Sequence, residues 1–245
     1  METIAGINSI LEALKGNRRR VKKIFIQEGR QGKRVEELAR YAQKKGVFIQ
    51  FVEKQRLDKM YTVANHQGVI AWVDDYKYSQ LQDILDLASL RQEKPFILIL
   101  DGIEDPQNLG SIIRSAESAG VHGIIIPRHG SAEVTGAVVK ASAGAVEHVL
   151  LARETNLVSV IQRLKESGVW IIGADMKGVT DYFKTSLPES IALVIGGEGR
   201  GIRRLVKEHC DFLVRIPMKG RIESLNASVA AALLLYEVVR QRAVK

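Results

Sequence analysis

The sequence predicts an α/β protein with a small α/β unit first and then a larger domain on a parallel sheet with helices on both faces. Short apolar runs alternate with amphipathic helical patterns along the chain of 245 residues, which is typical of strands joined by helices. The runs at 97–100 and 192–195 are apolar at every position. Strands of this kind are covered on both faces, as parallel strands usually are.

The smaller unit is predicted to span residues 1–75. Its apolar periodicity changes between helical and strand-like spacing, with Gly46 ending one helical pattern. We expect helices at 3–15, 34–45 and about 54–60, and strands at 21–27, 47–52 and 67–73.

A polar segment at 76–93 is predicted to be a linker with a short helix, and the larger domain then spans 94–245. We expect its strands at 96–100, 123–126, 148–151, 170–173, 191–195 and 212–216, and its helices at about 109–119, 133–142, 155–167, 201–208 and 224–242.

Positive charge is concentrated at the start of the chain. Residues 1–60 hold 15 Lys and Arg against 7 Asp and Glu, a difference of +8, which equals the net charge of the whole chain. This asymmetry predicts a polyanion-binding module, with a solvated basic face as the alternative. The candidate RNA-binding residues are Arg18, Arg19, Arg20, Lys22 and Lys23.

Composition argues against several classes of protein. No apolar run is long enough for a membrane helix, and the first residues lack the features of a signal peptide. Cys210 is the only cysteine, so an intrachain disulfide is excluded and a cytoplasmic location is expected. The histidines lack metal-ligand spacing, and neither a nucleophile elbow nor a kinase signature occurs, so we expect no metal.

Three segments combine polar residues with glycine or proline where a predicted strand gives way to a helix: 105–114, 195–201 and 216–228. Loops at the carboxyl ends of strands are where open α/β sheets bind ligands. The three segments therefore predict one composite site.

The glycine-rich segment does not fit a dinucleotide or Walker loop, because Ile202 stands where those patterns need glycine or lysine. A solvated loop acid is the alternative interpretation of Glu198, and an ordinary surface arginine is that of Arg114. Asn108 or Ser111 is expected to cap the helix that carries Arg114. The last predicted helix is apolar around most of its circumference, which is typical of a buried or dimer-forming helix.

Together these loops resemble the signature motifs of the SpoU family of RNA ribose 2′-O-methyltransferases. The first corresponds to Asn108-x-Gly-x-x-x-Arg114, the second to the glycine loop around Glu198, and the third to residues 216–218 with 224–228. Residues from Ile4 onward resemble the ribosomal-protein-L30e-like RNA-binding domain that precedes the catalytic domain in bacterial rRNA members. The resemblance covers nearly the whole chain.

The resemblance implies S-adenosylmethionine as cofactor, a deep trefoil knot in the C-terminal sheet, and a homodimer. It implies an RNA substrate, most specifically a guanosine ribose in 23S rRNA. The same chemistry on tRNA or another rRNA site, including resistance-type methylation, is one alternative, and a non-catalytic RNA-binding relative is another. The implied cofactor residues are Gly196, Gly197, Gly199, Ile216, Met218 and Leu225.

Catalysis is implied for Arg114, which would activate the ribose hydroxyl. Asn108, Glu198, Ser224 and Asn226 would position Arg114 and the ribose.

Overall fold

The chain folds into two compact units. The computed structural model describes residues 1–16, 18–62 and 65–244. Met1–Lys77 and Glu133–His148 form the first unit, and Tyr78–Ala132 and Val149–Lys245 form the second. No helix among the described residues is both long and apolar enough to cross a bilayer.

The first unit is a four-stranded sheet with helices. Its strand order is β1-β4-β2-β3, in which β2 and β3 are parallel and β4 is antiparallel to both β1 and β2. The strands are β1 (Glu2–Ala5), β2 (Val21–Gln27), β3 (Phe48–Val52) and β4 (Val69–Val73). The helices are α1 (Ile7–Lys15), α2 (Lys33–Lys44) and α3 (Lys54–Met60).

The prediction of helix from residue 3 is wrong, because the chain begins with a strand. Thr3 is paired with Trp72 of β4. Gly6 then adopts a φ of 95°, a conformation that glycine tolerates and that separates β1 from α1. The apolar spacing of the first residues fits a helix equally well, and only the distant partner strand decides between them.

The segment 133–148 packs with the first unit, although the sequence placed it in the second domain. Its helix, α6 (Gly136–Ala141), contacts β1, and Ser9 Oγ donates a hydrogen bond of 3.3 Å to the Val139 carbonyl oxygen. A 3-10 turn follows at Ala145–Glu147. This grouping depends on contacts distant in sequence, which local patterns do not reveal.

The second unit is built on a seven-stranded parallel sheet with the order β7-β6-β5-β10-β8-β11-β9. This confirms the predicted α/β class. The strands are β5 (Phe96–Asp101), β6 (Gly123–Pro127), β7 (Leu150–Glu154), β8 (Trp170–Ala174), β9 (Thr180–Asp181), β10 (Ile191–Gly196) and β11 (Phe212–Arg215). The helices are α4 (Leu81–Leu90), α5 (Pro106–Ser118), α7 (Leu157–Glu166), α8 (Arg204–Glu208) and α9 (Ala227–Ala243).

The segment predicted as a linker is packed into this second unit. Leu81 and Ile84 of α4 are buried in the same apolar cluster as Ile97 and Ile125 of the sheet. The Ser79 amide also donates to the Leu151 carbonyl oxygen at 2.8 Å. Residues 78–93 therefore contribute to the core, and the helix expected there has a structural role. The trefoil knot stays a prediction.

Candidate active site

The sheet topology places the three motif loops at one edge. β5 and β10 are adjacent and parallel, with Asp101 and Gly196 as register partners at their carboxyl ends. β11 lies in the same parallel sheet, separated from β10 by β8. Because parallel strands end on the same side, the loops after β5, β10 and β11 emerge together.

Side chains from these three loops form a hydrogen-bonded group, which we name the Asn–Glu–Asn cluster: Asn108, Glu198 and Asn226. Asn108 Nδ2 donates to Glu198 Oε1 at 3.0 Å, and Asn226 Nδ2 donates to the same oxygen at 2.8 Å. Asn226 Nδ2 also lies 2.8 Å from Asn108 Oδ1. Glu198 is exposed, but it is also the common acceptor that ties three loops together.

Helix capping explains why the asparagine of the first loop is available for this cluster. Asp105 caps α5, accepting hydrogen bonds from the amides of Gln107 at 3.2 Å and Asn108 at 3.0 Å. The prediction of Asn108 or Ser111 as the cap is wrong, because Asp105 already stands at the turn before Pro106. Asn226 both joins the cluster and caps α9, accepting from the Ser228 amide at 2.9 Å.

A buried carboxylate missed by the sequence reasoning holds the glycine loop at its base. Asp101 is 1% exposed and ends β5. Its carboxylate accepts from the Arg203 amide at 2.7 Å and from Arg203 Nε at 2.6 Å, while its carbonyl oxygen accepts from the Gly197 amide at 2.9 Å. The start and the end of the loop are thereby fixed to one residue. In the sequence, the only indication of this role is that Asp101 directly follows a run of apolar residues.

Two of the glycines are required by packing within the protein. A Cβ atom on Gly196 would lie 2.1 Å from the Gly201 carbonyl carbon, and one on Gly197 would lie 2.1 Å from the Gly102 carbonyl oxygen. Both distances are far inside van der Waals contact. By contrast, Gly199 has open space around it and a φ of 79°, so its requirement is conformational.

Arg114 lies on α5, six residues after Asn108, and its side chain is exposed. No hydrogen bond or ion pair to it is found in the described part of the chain. The cluster therefore does not hold Arg114 directly, and its guanidinium is available to a bound ligand.

A separate small cleft brings together the predicted apolar cofactor residues. Ile216, Met218 and Leu225 line it, together with Ser224, which the sequence assigned to catalysis. Ala174 at the end of β8 and the following Asp175 and Met176 also line it, and the sequence reasoning selected none of these three. Glu223 and Ala230 complete the lining. Gly197 instead lines a neighbouring cleft of about 440 Å³ that also contains Asn108 and Glu198.

The acid at the end of β8 is held in its ionised form. Burial is the largest influence on the pKa of Asp175 and opposes ionisation. The hydrogen bonds from the Lys207 side chain and the Lys177 amide, together with the charges of both lysines, outweigh it, so the pKa of Asp175 lies below its ordinary value. The small cleft thus combines apolar side chains with two carboxylates, those of Asp175 and Glu223. These features fit a ligand that has apolar parts and a cationic or hydroxyl-bearing part.

The basic candidates in the first unit differ in their surroundings. Arg19 is wrong as an RNA-binding residue because its side chain is 0% exposed and pairs with Glu147 and Glu2. Arg20 is exposed, whereas Arg18 is half-buried with its guanidinium 5.9 Å from the Tyr76 ring centroid. Lys22 pairs with Asp74 at 2.6 Å. Among the described residues, no group of three or more His, Cys, Asp or Glu side chains is arranged to hold a metal ion.

Two family models match the chain. Residues 95–236 match the SpoU rRNA Methylase family, and residues 3–79 match the RNA 2′-O ribose methyltransferase substrate binding domain. The first match covers the seven-stranded sheet that carries the three motif loops, and the second covers the basic N-terminal region.

Individual relatives agree with these matches. YacO of Bacillus subtilis, assigned to the TrmH family of tRNA/rRNA methyltransferases, is 45% identical over 239 residues, covering 98% of this chain and 95% of its own. The SpoU methyltransferase AviRb from Streptomyces viridochromogenes, solved with AdoMet, superposes with a TM-score of 0.81 at 27% identity, covering 99% and 91% of the two chains. An AdoMet-bound rRNA methyltransferase from Sinorhizobium meliloti gives 0.79 at 26% identity, covering 98% and 87%.

The site and the comparisons lead to one assignment. The three motif loops meet in the Asn–Glu–Asn cluster, the sheet is that of the solved SpoU enzymes, and the matched models together span most of the chain. The chain therefore belongs to the SpoU rRNA methylase family, enzymes that transfer a methyl group from S-adenosylmethionine to an RNA ribose 2′-hydroxyl.

Proposed function

We propose that this enzyme methylates the ribose of a specific guanosine in 23S rRNA, acting in the cytoplasm. The observation that carries the site assignment is the Asn–Glu–Asn cluster, which joins all three motif loops and includes Asn108 on the helix that carries the exposed Arg114. The rRNA target is supported by the family description and by the basic N-terminal region that matches a substrate-binding domain. The guanosine is supported by the family resemblance of the motifs.

The small cleft is the proposed site of S-adenosylmethionine, whose sulfonium supplies the methyl group. Ile216, Met218 and Leu225 would contact its apolar parts, and Asp175 offers an ionised carboxylate to its hydroxyl or amino groups. Ser224 lines the same cleft, so its proposed role is moved from the ribose toward the cofactor.

Gly196, Gly197 and Gly199 are proposed to serve the cofactor indirectly. Added Cβ atoms on the first two would meet backbone of the protein itself. These glycines therefore let the loop close on itself, and the closed loop presents Glu198 to the other two loops.

Arg114 is the proposed catalytic residue. An arginine guanidinium keeps its proton at neutral pH, so it is poorly suited to remove one from the ribose. Its donors can instead orient and polarise the 2′-hydroxyl, and they can hold a neighbouring phosphate that takes up the proton. The absence of any ion pair to Arg114 among the described residues leaves those donors available.

The Asn–Glu–Asn cluster is proposed to position this arginine and the ribose. Glu198 Oε1 accepts from Asn108 on α5 and from Asn226 at the start of α9. Since α5 carries Arg114, the cluster fixes that helix relative to the loops of the adjoining clefts. Alignment of the reacting atoms is a large part of rate enhancement in transfer reactions.

The experiment that tests the proposed function is methyl transfer from labelled S-adenosylmethionine to rRNA from a strain that lacks the gene. We expect label in 23S rRNA, resistant to alkaline hydrolysis at one guanosine, because a 2′-O-methyl group blocks cleavage of the adjacent phosphodiester. Label in tRNA alone would overturn the rRNA assignment. A tRNA substrate is the second candidate, favoured by relatives named as tRNA/rRNA methyltransferases.

A homodimer through α9 is also proposed. Leu234 and Leu235 of this helix are buried within the chain, whereas Val229, Leu233 and Tyr236 are 48%, 37% and 51% exposed. These exposed side chains line an open groove with Ser111 and Ser115 of α5. The occupant proposed is a second copy of this chain, because the family resemblance implies a homodimer and the exposed side chains of α9 continue its buried apolar face.

Sedimentation of the wild-type protein and of Leu233→Glu tests the dimer. The wild type should sediment as a dimer at micromolar concentration, and the variant as a folded monomer, because a charge in an apolar interface is costly to desolvate. A wild-type monomer would contradict the proposal.

A further inference from the structure

The first unit carries an aromatic and cationic row across its sheet. Thr3, Trp72, Lys23 and Phe48 are successive register partners on the strands β1, β4, β2 and β3. Register partners project to the same face of a sheet. The row therefore places a lysine between two aromatic residues on one face.

Lys23 and Trp72 of this row also contact Phe25, which lies two residues after Lys23 on β2 and so on the same face. Lys23 Nζ lies 5.1 Å from the ring centroid of Phe25 and 5.3 Å from that of Phe48. The Phe25 and Trp72 rings meet edge to face with centroids 4.8 Å apart. Phe25 is 1% exposed and packs in the core, but Phe48 is 64% exposed at the open edge of the sheet.

A cationic cleft lies at the end of the sheet where Phe48 begins β3. The cleft has a volume of about 340 Å³ and is lined by the last turn of α1, by residues at and before the start of β2, by residues preceding β3 and by residues following β4. Its cations include Arg18, Arg20, Lys22, Lys45 and Lys77, against the carboxylates of Asp74 and Asp75. Lys22 is already paired with Asp74, and Asp75 is paired with the N-terminal amine at 2.5 Å. By formal charge, the lining holds more cations than carboxylates.

This combination has a recognisable chemistry. Exposed aromatic rings beside a basic groove bind single-stranded nucleic acid, because every base has a face that stacks and every linkage carries a negative charge. A duplex offers phosphates but no unstacked base, so Phe48 would contribute little to binding one. The charge of the cleft matches a polyanion.

We propose that this end of the first unit, where β3 begins, binds unpaired nucleotides of RNA, with one base stacked on Phe48 and adjacent phosphates in the cleft that contains Arg20 and Lys45. Lys23 holds the Phe48 ring in place and adds a cation beside the stacked base. This inference rests on the proposed function, since it specifies how the RNA substrate is held. It assigns the substrate region as a loop, bulge or single strand.

The test compares binding of a labelled RNA hairpin that has an unpaired loop with binding of a blunt duplex of equal length. Phe48→Ala should weaken hairpin binding about tenfold, in line with the loss of one base–aromatic stack, and leave duplex binding unchanged. Phe48→Tyr should bind the hairpin as the wild type does. The slope of affinity against salt should stay the same in both variants, because neither removes a phosphate contact.

Phe51→Ala is the matched control. Phe51 lies on the same strand, three positions on and therefore on the opposite face, and is 59% exposed. We expect it to leave hairpin binding unchanged. Equal weakening by both alanine variants, equal weakening of hairpin and duplex, or no weakening by Phe48→Ala would each overturn the proposal. If Phe48→Ala does not weaken hairpin binding but changes the sedimentation coefficient of the protein, Phe48 belongs to a protein–protein contact and not to an RNA contact.

Methyl transfer to rRNA by the same variants separates this proposal from the proposed function. If the wild type binds the hairpin through Phe48 but transfers no methyl group, the proposed function fails alone. If the wild type transfers the group and Phe48→Ala has an unchanged KM for RNA, the stacking surface fails alone. If the proposed function and the stacking surface are both correct, Phe48→Ala should raise the KM for RNA about tenfold with little change in kcat.

Discussion

Two polar clusters in this protein use similar residue types for different purposes. In the first unit, Arg19 pairs with Glu147, and both side chains are 0% exposed. In the second unit, Glu198 of the Asn–Glu–Asn cluster is exposed and accepts from two asparagines. A buried ion pair is costly to break, whereas an exposed cluster can rearrange around a ligand. Burial, more than residue type, therefore separates the residues that hold the fold from those that hold the site.

The largest expected effect is on stability, from Glu147→Ala. This change leaves the buried Arg19 with Glu2 as its remaining ion-pair partner. We expect a loss of about 3–5 kcal/mol in the free energy of unfolding, because Arg19 Nε and Nη2 both donate to Glu147, and removing one partner of a buried ion pair is strongly destabilising. Urea denaturation measures it. The control is Asp74→Ala, which breaks the exposed Lys22–Asp74 pair and should cost less than about 1 kcal/mol. Equal losses in the two variants would contradict the comparison.

The next largest effect is on catalysis, from Arg114→Ala. We expect the single-turnover rate of methyl transfer to fall about 100- to 1000-fold, as for the loss of one charge-stabilising donor. Binding of S-adenosylmethionine, measured by calorimetry, should be unchanged, because Arg114 does not line the proposed cofactor cleft. Arg163→Ala on α7 is a control for removing an exposed arginine. Wild-type turnover in Arg114→Ala, or lost cofactor binding, would show that the role is misassigned.

A smaller effect is expected from changes to Glu198. Glu198→Ala removes the shared acceptor of the Asn–Glu–Asn cluster, and we expect a rate about tenfold to 100-fold lower, in line with hydrogen bonds to a charged group. Glu198→Gln retains an acceptor oxygen and should fall between alanine and wild type. The free energy of unfolding should change by less than about 1 kcal/mol because the side chain is exposed. A loss of stability as large as that of Glu147→Ala would remove the distinction between the two clusters.

The smallest expected effect concerns RNA affinity. Arg20→Ala removes one exposed cation and should reduce the slope of log affinity against log salt by about one. A folded variant that removes the Arg19 charge, such as Arg19→Met with Glu147→Leu, should keep the wild-type slope, because that charge is buried and already paired. Filter binding over a range of salt concentrations measures both. A reduced slope in the double variant would restore Arg19 as an RNA contact.

The sheet of the second unit was predictable because its central strands are apolar at every position, a pattern that indicates strands covered on both faces. The same local logic failed for β1, whose apolar spacing also fits a helix and whose identity depends on pairing with β4. It also failed for the segment 133–148, whose packing with the first unit depends on contacts such as Ser9 with Val139.

The residues of the Asn–Glu–Asn cluster were predictable because each stands in a motif beside glycine or a helix start. Asp101 and Asp175 were missed because a single acid after an apolar strand has no distinctive neighbours. Arg19 was misassigned since three consecutive arginines look alike in sequence, and only the position of Glu147 shows that one of them turns inward.

The anchoring of the glycine loop by Asp101 has a consequence for how the enzyme can change. The amides of Gly197 and Arg203 are both fixed to this one residue, and the Gly201 amide bonds to the Gly197 carbonyl at 2.9 Å. The base of the loop is closed, so residues at its tip, such as Arg200, are mechanically separate from the sheet. Natural variation or engineering can alter the tip without transmitting strain into the core. Glu198 lies within the same closed loop and joins it to the other two motif loops, so the loop can tolerate change at the exposed Arg200 but not at Glu198.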